Sequence, residues 1–299
     1  MTLVSSDVPE GYKHVPCNLC GADSAETYAT CSIDADWVVH RTRVRCRKCG
    51  LVYSDPQASE RTLASFYSRT YPVSCVPDKV QTSESQISAA KQLFERMNGR
   101  GRPGRVLDVG CATGHFLAGA QAAGWETYGV EVSTAFVDYA RNTLGLKNVY
   151  VGCLRDTSFD DGFFDFVNMW HVLEHVADPI GELTEIRRLL KIGGELRLGV
   201  PTLDDPHYWI DRLICRCKGM APPMRTSDHH TYEFTRRTLS NMLEAVGLHV
   251  KEVELYFNPR DSLRHMNWKG KTEDLAVSAV SRLLAKSFGD RLRMAAVKL

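Results

Sequence analysis

Asp108 stands two residues ahead of Gly110, and Gly114 follows four later, in the run Arg105-Val106-Leu107-Asp108-Val109-Gly110-Cys111-Ala112-Thr113-Gly114-His115-Phe116-Leu117. A short apolar run ending in an acid and a glycine turn, with an apolar helical pattern directly after it, predicts strand, loop and helix. That order aims backbone N–H groups and a helix N-terminus at a ligand beyond the carboxyl edge of a sheet. The spacing is not the G-x-G-x-x-G of dinucleotide sites, which argues against a nicotinamide dehydrogenase. A second acid, Glu131, ends the next predicted strand, Trp125-Glu126-Thr127-Tyr128-Gly129-Val130-Glu131. A strand-end carboxylate about twenty residues past such a loop can accept hydrogen bonds from two ribose hydroxyls.

Of ten cysteines, four form two matched pairs, Cys17-x-x-Cys20-Gly21 and Cys46-x-x-Cys49-Gly50. Each tight turn can offer two thiolates, and two turns complete a tetrahedral sulfur site with no position left for a substrate. That is the pattern of structural zinc. Disulfides are the alternative, but the opening Met1-Thr2-Leu3-Val4-Ser5-Ser6-Asp7 lacks a basic-then-apolar leader. A closed four-cysteine site would supply folding energy to a segment too small for a core of its own. Cys31, Cys75, Cys111 and Cys153 have no partner at ligand spacing, and Cys215-x-Cys217 is too isolated for a second site. Cys111 is expected to pack the loop. Arg41, Arg43, Arg45 and Arg47 alternate ahead of Lys48, which would set four arginines on one face of a strand. Such a face suits phosphates. A solvated charged strand is the simpler reading, since stacking aromatics are not interleaved.

These motifs, with two more downstream, resemble class I S-adenosylmethionine (SAM) methyltransferases. Asp-x-Gly-x-x-x-Gly is similar to the family's first motif. Phe163-Phe164-Asp165-Phe166-Val167-Asn168-Met169-Trp170-His171-Val172-Leu173-Glu174-His175-Val176-Ala177-Asp178-Pro179 looks like its fourth strand and following loop. Leu189-Leu190-Lys191-Ile192-Gly193-Gly194-Glu195-Leu196-Arg197-Leu198 resembles its turn into the fifth strand. The resemblance spans about residues 83–257. It implies an α/β fold: a Rossmann-like, seven-stranded, mostly parallel sheet with helices on both faces. It also implies that Asp108, Gly110, Cys111 and Gly114 hold the methionine part of SAM and Glu131 the ribose. Val132 and Leu154 would flank the adenine, with Ala112 and Trp170 completing the cofactor contacts. Ala112 stands where many members have glycine, and is acceptable if its φ stays negative.

The chain's opening, from the first knuckle through Arg45-Cys46-Arg47-Lys48-Cys49-Gly50-Leu51-Val52-Tyr53-Ser54-Asp55-Pro56 to Ser65-Phe66-Tyr67-Ser68-Arg69-Thr70-Tyr71, looks like bacterial methyltransferases with an N-terminal zinc ribbon. Those tend to serve glycan or small-molecule natural-product biosynthesis. The expected function is therefore O-methylation of a sugar or natural-product hydroxyl, with SAM and Zn2+ as cofactors. SAM carries its own activated methyl, so the protein must align an acceptor and remove a hydroxyl proton. His171, after the fourth strand, and His230, in Asp228-His229-His230-Thr231-Tyr232-Glu233-Phe234, are the candidate bases. His175 is expected to be architectural. Some quinone O-methyltransferases carry Glu-x-x-Glu-His at this loop and bind Mg2+; His171-x-x-Glu174-His175 lacks one of those carboxylates, which weakens that reading. Other readings are an RNA methyltransferase that uses the ribbon for substrate, and a non-catalytic ribbon interaction protein. The intact Asp108, Gly110, Gly114 and Glu131 argue against the latter.

The elements that must position these residues are laid out in order. Residues 1–56 read as ribbon, 57–82 as a tether rich in Ser, Thr, Pro and Tyr, and 83–299 as the methyltransferase domain. A helix over Ser83 to Met97 stops at Asn98-Gly99. Strands near 105–109, 125–131, 147–151, 164–169 and 194–200 alternate with helical stretches, which predicts a parallel sheet. Leu248 to Leu255 and Leu292 to Lys298 would be the closing pair, one of them antiparallel by resemblance. A long insertion at about 202–234 carries Pro206, His207, Tyr208 and Trp209 and is expected to form an acceptor lid. A second, at about 258–290, holds an amphipathic stretch from Leu275 to Phe288 that would cover the sheet or a partner. With 299 residues, 43% hydrophobic and 24% charged, the composition is that of a globular protein with a sizeable core. A net charge of +1 gives no reason to expect nucleic acid or an anionic membrane as partner, so a small-molecule acceptor is expected. No apolar run is long enough to span a bilayer, and the expected location is the cytoplasm.

Overall fold

The computed structural model describes residues 8, 10–30, 42–69, 83–99, 101–204, 217, 230–256 and 291–299. The chain opens with β1 (Tyr12–Lys13), β2 (Ala25–Thr30), β3 (Thr42–Cys46), β4 (Val52–Ser54) and β5 (Gln57–Ala58), then α1 (Glu60–Arg69) and α2 (Ser83–Asn98). Strand and helix then alternate: β6 (Arg105–Val109), α3 (His115–Ala122), β7 (Glu126–Glu131), α4 (Thr134–Asn142), β8 (Asn148–Val151), β9 (Phe164–Trp170), α5 (Pro179–Leu189) and β10 (Leu190–Pro201). The short β11 (Tyr232–Glu233), α6 (Arg236–Ala245), β12 (Leu248–Tyr256) and β13 (Arg291–Lys298) follow. The seven-stranded sheet has the order β12-β13-β10-β9-β6-β7-β8. Every neighbouring pair from β10 to β8 is parallel, and β13 runs antiparallel to both β10 and β12. The fold is Rossmann-like. Its strand order reverses direction between β9 and β6, which opens a crevice at their carboxyl ends.

Alternation along each strand sorts the core into two layers. Val106 and Phe166 face α2, α3 and α4, packing with Phe94, Leu117, Trp125 and Val137. Leu107, Val167 and Met169 face the other way, onto Leu183 and Ile186 of α5 and Leu239 and Met242 of α6. A one-residue register slip would invert both layers, so burial on two faces pins the strands. Helix starts are capped where the chain must turn. Ser133 accepts from the Phe136 N–H, Asp178 from Gly181 with Pro179 next in line, and Thr235 forms a capping box with Thr238.

The N-terminal region departs from its expected independence. β2, β3 and β4 form an antiparallel sheet whose fourth strand is β11, paired to β4 through Tyr232↔Tyr53 and Glu233↔Val52. Cys17, Cys46, Leu51 and Tyr53 share one core with Val200 and Phe234. The end of the expected lid is thus a strand of the ribbon sheet. Residues 57–69 are likewise built in rather than spacer: β5 pairs with β1, and α1 forms a helix against the site described below. Nor do the alternating arginines make an exposed face. Arg43 is 1% exposed and donates to Ser54 and to the His230 carbonyl, beside Glu233. Arg47 lies outside, paired with Glu26. A strand period cannot reveal that a segment from far along the chain covers one of its positions. The remainder of the tether (70–82), most of the lid (205–216 and 218–229, with His229), the 258–290 insertion, Arg41, Cys31, Cys75 and Cys215 lie outside the described residues. No helix among the described residues is long and apolar enough to cross a membrane.

Candidate functional site

The carboxyl ends of β6, β7 and β9 open on a cavity of about 1110 Å³. Asp108 is buried at the end of β6, its Oδ1 accepting from Asn168 Nδ2 at 2.7 Å. Burial pushes its carboxyl up, the Asn168 hydrogen bond restrains the shift and the charge of Glu131 adds to it, leaving it at about 7. At Gly110 (φ 70°) a Cβ would collide with Val172. Ala112 sits at φ 47°, against the expectation of a negative value. The cause is local. In this left-handed geometry the Ala112 N–H donates to Glu131 Oε2 at 2.9 Å, which offsets a strain of about 1–2 kcal/mol. Glu131 Oε1 accepts from Ser133 N at 2.9 Å, so one strand-end carboxylate ties together the loops after β6 and β7. A carboxylate offers about four acceptor directions, so two backbone donors do not exhaust it.

Asp108, Gly110, Cys111, Ala112, Glu131, Val132, Leu154 and Trp170 all line the cavity. Gly114 stands just behind it and begins α3 at φ 81°. Cys111 is buried, and burial pushes its thiol well up, so it packs the loop rather than reacting. Four cavity residues escape a reading of the chain alone: Asn168, Tyr67, Arg291 and Arg293. Asn168 shares a strand face with Trp170 by the period of two, but its meeting with Asp108 depends on β6 and β9 being neighbours.

His171 also lines the cavity, at φ 54°. Its Nδ1 is 3.0 Å from Glu174 Oε1 and its Nε2 is 2.6 Å from Arg291 Nη1. These partners select the neutral tautomer with the proton on Nδ1. Glu174 is 1% exposed. Burial would push its carboxyl up, but the hydrogen bond from His171 and the neighbouring His175 and His230 outweigh it and hold it at about 2. His175 reaches the Tyr67 hydroxyl at 2.6 Å, joining α1 to the loop after β9.

His230 is not brought into the cavity. It is 7% exposed, lies behind His175 with ring centroids 4.9 Å apart, and is absent from the lining residues. The Thr231 and Tyr232 N–H groups donate to the Glu174 carbonyl, drawing this segment toward the ribbon sheet and away from an acceptor. As placed, His230 stands one imidazole back from the cavity, whereas His171 lines it, and a base must reach the proton it takes. Glu174, His175 and His230 do offer ligand atoms within 4.8 Å of one another. The set has one carboxylate, already bonded to His171, and two imidazoles, which does not fit Mg2+.

The second constellation is sulfur. The Sγ atoms of Cys17, Cys20, Cys46 and Cys49 all lie within 4.8 Å of one another, with Cys17 to Cys49 at 3.4 Å and Cys20 to Cys46 at 3.6 Å. Four sulfurs about 2.3 Å from one tetrahedral ion stand about 3.8 Å apart, so the donor set and spacing fit zinc. The two knuckles have the same build. Gly21 N donates to the Cys17 carbonyl and Gly50 N to that of Cys46.

Comparison with known proteins agrees with this geometry. Residues 83–253, more than half of the chain, match a family model described as "Methyltransferase domain". Among curated relatives, a ubiquinone biosynthesis O-methyltransferase of Ruegeria sp. is 28% identical over 186 residues, covering 59% of this chain and 72% of that protein. An uncharacterized 37.1 kDa protein in a Streptomyces fradiae transposon is 32% identical over 161 residues, 48% of this chain and 46% of that one. The chain spans under half the length of several of the curated relatives it matches. Among solved structures, the complex between the Trm112 methyltransferase activator of Haloferax volcanii and a methyltransferase matches with a TM-score of 0.50 at 17% identity, covering 79% of this chain and 96% of that one. That likeness speaks to the fold. Fold, loop and family agree: the chain belongs to the methyltransferase domain family.

Proposed function

We propose that this enzyme methylates a hydroxyl of a small molecule, a sugar or natural product, with His171 as general base and a structural zinc in its ribbon. SAM, when bound, supplies a methyl on a positively charged sulfur. Asp108 would hold the methionine ammonium, the loop N–H groups its carboxylate, and Glu131 the ribose, while Val132 and Leu154 flank the adenine. The observation that carries the acceptor reading is the His171 pair. Glu174 accepts a hydrogen bond from Nδ1–H, so Nε2 is the basic nitrogen, and His171 lines the same cavity as the glycine loop. A proton leaving the acceptor oxygen would go to that Nε2 and on to water after transfer. His230 and Tyr67 act as positioning residues through His175.

Zinc is supported by the sulfur spacing and by the shared core, which leaves the ribbon no means of folding apart. RNA is the weaker acceptor reading, because Arg43 is buried in the junction between the two sheets. Titrating the metal-loaded protein with S-adenosylhomocysteine (SAH), then screening hydroxyl acceptors against His171→Ala, tests the whole reading. Micromolar SAH binding with turnover lost in His171→Ala is expected. Turnover that survives the substitution with an unchanged pH profile would remove His171 from the role.

A further inference from the structure

Charge is distributed unevenly around the cavity. At the glycine-loop end its lining includes Asp108 and Glu131, suited to a cofactor with a sulfonium and an ammonium. Beyond Trp170 the lining changes sign, to Arg197, Arg291 and Arg293. Strand register puts these on one sheet face. Arg197 lies beside Asn168 and Gly199 beside Trp170, while Arg293 faces Gly199 and Arg291 faces Pro201 across the antiparallel pair. On β12, Glu254 stands opposite Arg293 and Tyr256 opposite Arg291.

Aromatic rings complete this end. Trp170 and Tyr256 stack with centroids 6.3 Å apart, and the Arg293 guanidinium lies 5.2 Å and 5.1 Å from the two ring centroids. Gly199 permits it, since a Cβ there would stand 2.5 Å from the Trp170 ring. Arg293 pairs with Glu254 at 3.0 Å and Arg197 with Glu195 at 2.6 Å, contacts partly open to water that a buried oxyanion can displace. Arg291 sits on Nε2 of His171, the nitrogen proposed to take the acceptor's proton.

We propose that the acceptor is an anion, a small molecule bearing a phosphate or carboxylate group that Arg291 and Arg293 bind, with a flat portion laid against Trp170. This rests on reading the Trp170–His171 end of the cavity as the acceptor end. A planar guanidinium fork matches an oxyanion at two points, which a hydroxyl acceptor without charge does not use. The anion would also draw Arg291 off His171, so that the base becomes available only when the correct acceptor is seated.

Calorimetry on the full-length, metal-loaded protein saturated with SAH tests this, using inorganic pyrophosphate and, separately, benzoate as probes. At least one probe should bind at submillimolar Kd. Arg291→Gln and Arg293→Gln should each weaken it tenfold or more while SAH affinity stays within twofold, and the exposed Arg45→Gln should change neither. Binding of pyrophosphate alone identifies a phosphate ester, and of benzoate alone a carboxylate. Intact SAH binding with neither probe bound, or probe affinity insensitive to both arginine substitutions, overturns the anion site and leaves the methyltransferase reading standing. Loss of SAH binding in the unsubstituted protein would instead remove the reading on which the site rests.

Discussion

The cysteine knuckles and the loop after β6 both turn on left-handed glycines, for different reasons. In the first knuckle Gly21 lies at φ 68°, and a Cβ there would meet nothing within 4 Å. Gly110, at φ 70°, has nearly the same dihedral, but a Cβ would run into Val172. The knuckle needs only conformational freedom, because on the proposed zinc reading its sulfurs would be gathered by the ion. The cofactor loop needs volume as well, because sheet and helix close around it before any ligand arrives. The knuckle glycine has open space outside it; the glycine of the packed loop is crowded.

Removing the metal should break the comparison most severely. Chelation, or Cys46→Ser, is expected to remove on the order of 10 kcal/mol of apparent folding energy. That is comparable with the entire stability of a domain. Because Cys17 and Cys46 share a core with Val200 and Phe234, thermal unfolding and SAH binding should fail together. A stripped protein that still binds SAH would show that the ribbon is separable. Next, Arg43→Met strands Glu233 in the junction between the sheets, and unfolding by denaturant should register a loss of about 3–5 kcal/mol.

Gly110→Ala should cost about 2–5 kcal/mol, from backbone strain together with overpacking against Val172. SAH affinity should fall with it. Asp108 gives a smaller, graded effect. Burial pushes its carboxyl up to about 7, and in the proposed role it must be ionised to hold the ammonium, so SAH affinity should be level above pH 7 and fall up to tenfold per unit below it. Asp108→Asn should flatten that slope; a slope that persists would assign the titration elsewhere. Gly21→Ala should be mildest, at about 1–2 kcal/mol. Equal losses for Gly21→Ala and Gly110→Ala in denaturant melts would undo the distinction between the two turns.

Much of the glycine-loop end of the cavity was legible because it is local. Asp108, Gly110 and Gly114 lie within one strand–turn–helix, and Glu131 ends the very next strand. The positive φ of Ala112 was not legible, since it answers to a hydrogen bond that its N–H donates to another strand's carboxylate. His230 was misplaced for a related reason. Its neighbours in the chain suit a loop beside the acceptor, but the backbone of 231–232 is claimed by the Glu174 carbonyl and by pairing with β4. Residues 57–69 read as a tether on composition alone, yet Tyr67 reaches His175 and Glu60 reaches Arg155.

The parallel-sheet core, the glycine loop with its two acids, and the pairing of two cysteine knuckles are all written in the linear chain. Each is encoded in residues close together, where periodicity and turn chemistry act directly. Three outcomes waited on the folded arrangement: the ribbon borrows β11, Arg43 is buried, and Arg197, Arg291 and Arg293 converge beside Trp170. They depend on which strands become neighbours. Strand adjacency is set by burying two faces of one sheet at once, a condition on the whole chain that no short segment can express.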